Sequence, residues 1–87
     1  MSDYAVVNPA TGETLATYDT HTEAQLDEKI GSADAAFRDW RLTPAAERAT
    51  LLRRVAELHR ERRDELAATM VREMGKPLAA ALGEVDF

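Results

Sequence analysis

The chain has 87 residues, no cysteine and a formal charge of -5, from 16 acidic and 11 basic side chains. This length allows at most one small domain, and the lack of cysteine excludes a disulfide framework and a thiolate metal site. The acidic balance disfavours a nucleic-acid partner, and no apolar run approaches the roughly 20 residues that span a bilayer. We expect a cytoplasmic protein, because the start MSDYAVV lacks the basic and apolar segments of a signal peptide.

The first predicted element is a β-hairpin over residues 4–19. Aromatic and β-branched residues, which favour strands, flank the turn sequence NPATGE. In that turn Pro9 fixes φ, Asn8 can bond its own downstream backbone, and Gly12 can adopt a positive φ. Because a two-stranded hairpin is marginal alone in water, we expect it to pack on another part of the molecule.

A helix is predicted next, over residues 22–41. Thr22 and Gln25 have the spacing of a capping box, in which each side chain accepts from the other residue's backbone N–H. Apolar residues then recur at steps of three and four, which places them on one face of the helix. We call these five residues the seam of this helix: Leu26, Ile30, Ala33, Phe37 and Trp40.

Residues 43–75 predict either one long helix or a broken pair of helices. Thr43 is the expected N-cap, with Pro44 at the first helical position. A second apolar stripe follows, and it consists of Leu51, Leu52, Val55, Leu58, Leu66, Met70 and Met74. A run of seven polar residues interrupts it at 59–65. The helix could continue through this run, or it could break with Asp64 capping a new helix; the break is favoured.

Two residues close this region and open the next. Gly75 is a natural helix C-terminal residue, and Pro77 suits the first turn of a further helix over 77–87. The elements together predict a mainly α chain with an N-terminal β-hairpin, which is an α+β fragment.

Few residues in the sequence suggest chemistry. The pair Gly75-Lys76 lacks the upstream glycine and the following Ser or Thr of a phosphate-binding loop, so a helix C-cap is the preferred interpretation. His59 lacks the second histidine of a zinc-binding HExxH helix, and His21 stands alone before a helix cap. Both histidines are expected to be structural or solvated.

Two groups of charged residues are further candidates. The basic residues Arg53, Arg54, Arg60, Arg62 and Arg63 could contact phosphates, but acidic residues are interleaved with them, which favours a solvated helix face. Glu84 and Asp86 are two residues apart, so on a helix they point to different faces and cannot converge on one substrate atom. As an isolated object, the chain shows no active site.

Five segments nevertheless resemble one family, in order and at its spacing. They are NPATGE at 8–13, AFRDW at 36–40, ER at 47–48, LRRVAELHRERRDELA at 52–67 and EMGKPLAAALGEV at 73–85. Together they resemble the start of aldehyde dehydrogenases, most closely the NAD(P)-dependent succinate-semialdehyde dehydrogenase group. The resemblance covers nearly the whole chain.

The resemblance implies that residues 1–87 are the N-terminal segment of a Rossmann-type cofactor-binding domain. The family's reaction needs a cysteine thiolate, a carboxylate base and amide donors to the oxyanion. None of these residues matches a position here, so we expect no catalytic, cofactor-binding or metal residue in this chain. In some members a main-chain carbonyl at the position of Val7 lies near a monovalent cation, but its other ligands come from sequence beyond these residues.

Three functional hypotheses follow. In the first, the chain is part of an enzyme that oxidises an aldehyde, succinic semialdehyde in the closest group, with NAD or NADP. The fragment itself would be inactive and would bind no cofactor. Its partner would be the remainder of the enzyme, which is expected to be a homo-oligomer. The second is a small helical protein-interaction module. The third, a nucleic-acid binder built on the arginine cluster, has the least support.

Overall fold

The computed structural model describes residues 4–87, and within them two strands precede four helices. The elements are β1 (Tyr4–Val7), β2 (Thr14–Tyr18), α1 (Glu23–Trp40), α2 (Ala45–Glu61), α3 (Arg63–Met74) and α4 (Leu78–Asp86). The predicted mainly helical chain with an N-terminal hairpin is therefore confirmed. None of the helices in the described residues is long and apolar enough to cross a membrane.

The hairpin is antiparallel, with Tyr4 opposite Tyr18 and an irregularity in the register just before the turn. The turn uses the residues that the sequence indicated. The Asn8 side-chain oxygen accepts from the Ala10 N–H at 2.9 Å, and the Gly12 N–H donates to the Asn8 carbonyl at 2.7 Å. Gly12 has a φ of 76°, which glycine adopts without steric cost.

Helix α1 begins at the predicted capping box. The Gln25 N–H donates to the Thr22 hydroxyl at 3.2 Å, and the Thr22 N–H donates to the Gln25 side-chain carbonyl at 2.9 Å. Two of the N–H groups that a helix start leaves unpaired are thus satisfied.

The predicted start of α2 is wrong by one residue. Thr43 is not the N-cap: its N–H donates to the Trp40 carbonyl at 3.0 Å in the turn that ends α1, and the helical hydrogen bonds of α2 begin at the carbonyl of the next residue. Pro44 is the N-cap instead, with an extended ψ of 145° and no side-chain cap. Its carbonyl accepts from the Arg48 N–H at 3.1 Å, which starts the helical hydrogen bonding.

The favoured break between α2 and α3 is confirmed, but its cap is not. Arg62 leaves the helical region with a φ of -104° and a ψ of 20°, and α3 begins at the next residue without a side-chain cap. Asp64 therefore lies inside the first turn of α3. There its carboxylate interacts favourably with the positive end of the helix dipole, but it does not cap the helix.

The short connection between α3 and α4 follows the glycine–proline pattern. Gly75 ends α3 with a left-handed φ of 69°. Pro77 is the N-cap of α4 rather than a residue of its first turn, because its ψ of 140° is extended. A Cβ atom at Gly75 would lie 2.8 Å from Cγ of Pro9, so the hairpin turn approaches the helix end closely at this point.

The core of the described residues is small and lies between α3 and α4. It consists of Ala67, Ala81 and Val85, with partly buried apolar neighbours from the same two helices, and α2 packs beside them. The Cα radius of gyration is 17.7 Å and the smallest extent is 14 Å. A compact domain of this length has a radius of gyration of about 12 Å. The chain is therefore a flat, open arrangement rather than a closed globule.

Candidate functional site

The charged residues considered for chemistry near the C-terminus are engaged in structural ion pairs. The Arg63 guanidinium donates two hydrogen bonds to Asp86, at 2.5 and 2.8 Å. The Lys76 ammonium pairs with Glu84. Glu84 and Asp86 thus serve different partners, as expected for residues two apart on a helix. Both pairs fasten α4 to α3 or to the connection that precedes α4.

The Arg63–Asp86 pair shifts the ionisation of both groups. Hydrogen bonds from Arg63 lower the pKa of the Asp86 carboxyl below its usual 3.8, while partial desolvation acts in the opposite sense. The same hydrogen bonds raise the pKa of Arg63. An aspartate held ionised in this way is a structural anchor and is poorly suited to act as a general base near neutral pH.

The two histidines are not brought together. His59 Nδ1 lies 2.8 Å from the Val55 carbonyl in the preceding turn of α2. Because a carbonyl only accepts, this nitrogen carries the proton. His21 is exposed just before the N-cap of α1. No group of three or more possible metal-ligating side chains occurs in residues 4–87.

One member of the arginine cluster, Arg54, forms ion pairs along α2. Arg54 donates to Glu57 and to Glu61, each at 3.1 Å, and all three side chains are more than half exposed. The hydrogen bond to Glu61, followed by that to Glu57, raises the pKa of Arg54. This mixed-charge face is the solvated surface that the interleaved sequence indicated, and it does not favour a phosphate-binding surface.

The apolar surface is the most unusual feature. Helix α1 has no buried residue, and Leu26, Ile30, Phe37 and Trp40 of its seam are 52, 59, 60 and 45% exposed. On α2, Leu51 and Leu52 are 51 and 67% exposed. Soluble monomers rarely leave contiguous apolar stripes open, so these faces are candidate packing surfaces.

The second stripe predicted from the sequence is split by the break at Arg62. Leu66 and Met70 pack against the α3–α4 core, whereas Met74 is 74% exposed. The stripe is therefore not a single surface: Leu66 and Met70 pack on the core, Leu58 of α2 is half-buried, and Leu51, Leu52 and Met74 are exposed.

Sequence reasoning missed one polar group. The Nε atom of Arg48, in the first turns of α2, is buried and has no hydrogen-bond partner among the described residues. A buried donor without an acceptor costs free energy. The ER pair at 47–48 contributes to the family resemblance, but no local pattern in the sequence indicates that this side chain is buried.

A dinucleotide cofactor requires features that these residues do not supply. In doubly wound folds it lies against a parallel sheet, with its pyrophosphate at a glycine-rich strand-to-helix turn. The sheet within residues 4–87 is a two-stranded antiparallel hairpin, and the sequence contains no GxGxxG pattern. The residues present therefore do not fit a nicotinamide dinucleotide by themselves.

Comparison with known proteins identifies the family. The family model described as "Aldehyde dehydrogenase family" matches residues 1–87. The chain belongs to the aldehyde dehydrogenase family, and the resemblance drawn from its five segments is confirmed.

Individual relatives are similar over almost the entire chain. A succinate-semialdehyde dehydrogenase [NADP(+)] from Deinococcus radiodurans is 49% identical over 82 residues, which cover 94% of this chain and 17% of that protein. A glutarate-semialdehyde dehydrogenase from Pseudomonas putida is 45% identical over the same share of each. The crystal structure of an NADP-dependent enzyme from Escherichia coli superposes with a TM-score of 0.87 at 40% identity, covering 95% of this chain and 17% of that one. The chain thus spans less than a fifth of the length of the relatives it matches.

Proposed function

We propose that this chain is the N-terminal portion of an NADP-dependent aldehyde dehydrogenase that oxidises succinic semialdehyde to a carboxylate. The observation that carries the proposal is the family match over residues 1–87, together with 49% identity to a relative named for that activity. In this proposal the chain contributes to the cofactor-binding domain of a homo-oligomeric enzyme, and the cytoplasm is its expected compartment.

The role of these residues in the proposed enzyme is structural. The sequence has no cysteine, whereas the family's reaction depends on a thiolate nucleophile. The acidic residues Glu84 and Asp86 are held by separate partners, Lys76 and Arg63. The chain therefore supplies framework, and the chemistry and cofactor binding reside in polypeptide outside it.

The proposed substrate is an aldehyde that also carries a carboxylate. Relatives at 49 and 45% identity are named for succinate and glutarate semialdehydes, which differ by one methylene. One methylene changes specificity by about 1–3 kcal/mol, so this choice depends on pocket residues outside the chain. Succinic semialdehyde is proposed because the relative with the higher identity of these two is named for it.

A chimeric enzyme tests the proposal. The N-terminal segment of the Deinococcus radiodurans enzyme is replaced by this chain, and NADP reduction is measured with succinic and glutaric semialdehydes. We expect oxidation of succinic semialdehyde at a rate near that of the parent. The 87-residue chain alone is expected to give no reduction above buffer, and deletion of the segment is the matched control.

The outcomes separate the hypotheses. A well-folded chimera without activity, or turnover by the 87-residue chain alone, would overturn the proposal. An inactive chimera combined with a cooperatively folding, monomeric 87-residue chain would favour the helical interaction module instead.

A further inference from the structure

We infer that the open edge of strand β1 pairs with the same edge of a second copy of this chain, so that two hairpins join into one antiparallel sheet. The inference concerns the 87-residue chain by itself and goes beyond the proposed function. Its starting point is that the sheet within residues 4–87 consists of β1 and β2 alone. A two-stranded sheet is marginal in water, whereas roughly three or more strands give independent stability.

The backbone of β1 presents hydrogen-bonding groups on the side that faces away from β2. The Asn8 N–H donates to the Glu13 carbonyl at 2.8 Å, so the backbone groups of Asn8 face β2. Because this direction alternates along a strand, the groups of Val6 also face β2, and those of Ala5 and Val7 face away from it. The main packing in the described part of the chain joins β1 to β2 and joins α2, α3 and α4 to one another. The outward side of β1 is therefore an open sheet edge, which is a template for pairing with another strand.

The other open edge, that of β2, is irregular. Val6 lies opposite Ala16, whereas the next residue, Val7, lies opposite Thr14. Leu15 is therefore an extra residue that makes a bulge in β2. A bulge bends its own strand and interrupts regular pairing, so it protects this edge. The edge of β1 has no extra residue and is the better template.

One register satisfies the outward groups of both copies. With Val6 on the two-fold axis, Ala5 of each copy lies opposite Val7 of the other, and each such pair can exchange both N–H···O bonds of an antiparallel ladder. A register nearer the turn would set Ala5 opposite Pro9, which has no N–H. A register further from the turn would leave Val7 opposite a residue outside β1. The joint sheet then has the two β1 strands at its centre.

Charge also favours β1 over β2. Glu13 and Asp19 flank β2, and antiparallel pairing of two β2 strands about Ala16 would place these carboxylates opposite each other, which is destabilising. Strand β1 carries no charge. Its antiparallel pairing keeps the Glu13 side chains of the two copies at opposite ends of the joint sheet. In a chain with a formal charge of -5, this edge therefore allows two copies to approach with little repulsion.

Single cysteines provide the test, because the sequence has none. In the proposed register the two Val6 residues form a non-hydrogen-bonded pair with Cα atoms about 4.5 Å apart, a separation that a disulfide can span. Ala16→Cys is the matched control for Val6→Cys, because Ala16 lies opposite Val6 on β2 and both residues are half-buried. Each variant is oxidised with glutathione disulfide at the same chain concentration, and the disulfide-linked dimer is measured by mass spectrometry.

We expect Val6→Cys to form the linked dimer at least about 10-fold faster than Ala16→Cys, because pairing raises the local concentration of the two thiols. Sedimentation of the wild type should show association that increases with concentration. Val6→Lys should weaken this association, because it places like charges opposite each other, and Ala16→Lys should leave it unchanged. In the wild type, hydrogen exchange of the Ala5 and Val7 amides, measured by NMR, should slow as the concentration rises.

Equal cross-linking rates for the two cysteine variants would overturn the inference. Association that Val6→Lys leaves unchanged would also overturn it, because another surface, such as the seam of α1, would then join the copies. The same holds for a chain that stays monomeric while its Ala5 and Val7 amides exchange at a constant rate. None of these outcomes affects the proposed function, which is tested by the activity of the chimeric enzyme.

Discussion

The α3–α4 pair and helix α1 each have an amphipathic pattern of apolar residues, yet they lie in opposite environments. In the pair, Ala67 and Ala81 are fully buried, the Arg63–Asp86 ion pair joins the start of α3 to the end of α4, and Lys76 of the connection pairs with Glu84 of α4. Every residue of α1 is exposed. An amphipathic pattern therefore predicts that a face will be buried, but it does not say whether the partner lies nearby in the sequence.

The difference also bears on stability. An isolated helix is marginal in water even with a good N-terminal cap, because most helical stability in proteins comes from packing. The α3–α4 pair has that packing within the chain, and α1 does not. We expect the pair to respond to core substitutions and α1 to respond mainly to changes in its capping and helix propensity.

The largest expected effect is from overfilling the core of the pair. Ala81→Leu inserts a larger side chain where no space exists and should lower the free energy of unfolding of the helix pair by about 1–3 kcal/mol. Ala80→Leu, at an exposed position of the same helix, should change it by less than about 0.5 kcal/mol. Urea titrations followed by circular dichroism measure both; equal effects would contradict the assigned core.

A similar cost is expected at the turn between α3 and α4. Gly75→Ala forces a side chain into a left-handed φ of 69° and towards Pro9, which should cost about 1–2 kcal/mol. Gly31→Ala is the matched control, because Gly31 lies inside α1 with nothing within 4 Å of an added Cβ. Alanine has the higher helix propensity, so this substitution should stabilise α1 by about 1 kcal/mol. Thermal unfolding should show a lower midpoint for Gly75→Ala and a higher midpoint for Gly31→Ala. An unchanged midpoint for Gly75→Ala would count against the Pro9 contact.

A smaller change is expected at the start of α1. Thr22→Ala removes one half of the capping box and should destabilise the helix by about 1 kcal/mol. Because α1 has little packing to compensate, the loss should be visible as reduced far-UV helicity. Thr22→Ser keeps the hydroxyl and should retain the helicity; a loss with both variants would show that the cap is not responsible.

The smallest effect concerns pH. Since Arg63 lowers the pKa of Asp86 in the folded state, the pair stabilises the fold above the usual aspartate pKa of 3.8. That contribution is lost as the pH falls through the lowered value. The thermal midpoint of the wild type should therefore drop more than that of Asp86→Asn between about pH 5 and about pH 2. If the thermal midpoints of the wild type and Asp86→Asn fall equally over this pH range, the stabilising role of the Arg63–Asp86 pair is contradicted.

Local signals in the sequence predicted much of the fold. Asn8 and Gly12 specified the turn, Thr22 and Gln25 the capping box, and Gly75 the end of α3, because each acts on neighbouring backbone. The N-cap of α2 was wrongly predicted as Thr43. The turn that ends α1 includes Thr43, whose N–H donates to the Trp40 carbonyl, and Pro44 is the N-cap. The Arg63–Asp86 pair and the Pro9–Gly75 approach join residues far apart in sequence, which no local pattern indicates.

The functional assignment has a different origin. No cluster of side chains in residues 4–87 defines a reaction, and the polar candidates Lys76, Glu84 and Asp86 proved to be partners in ion pairs. The resemblance of ordered segments such as NPATGE and EMGKP indicated the family. Physical reasoning contributed the apolar face of the first helix, whose residues Leu26, Ile30, Phe37 and Trp40 are each at least 45% exposed.

Small-angle X-ray scattering of the 87-residue chain, collected on the monomer peak during size-exclusion chromatography, tests the central claim most directly. If these residues form an open part of a larger fold, the radius of gyration should be at or above the 17.7 Å of the structure. A value near the roughly 12 Å of a compact domain would show that the chain closes on its own core and would contradict this account.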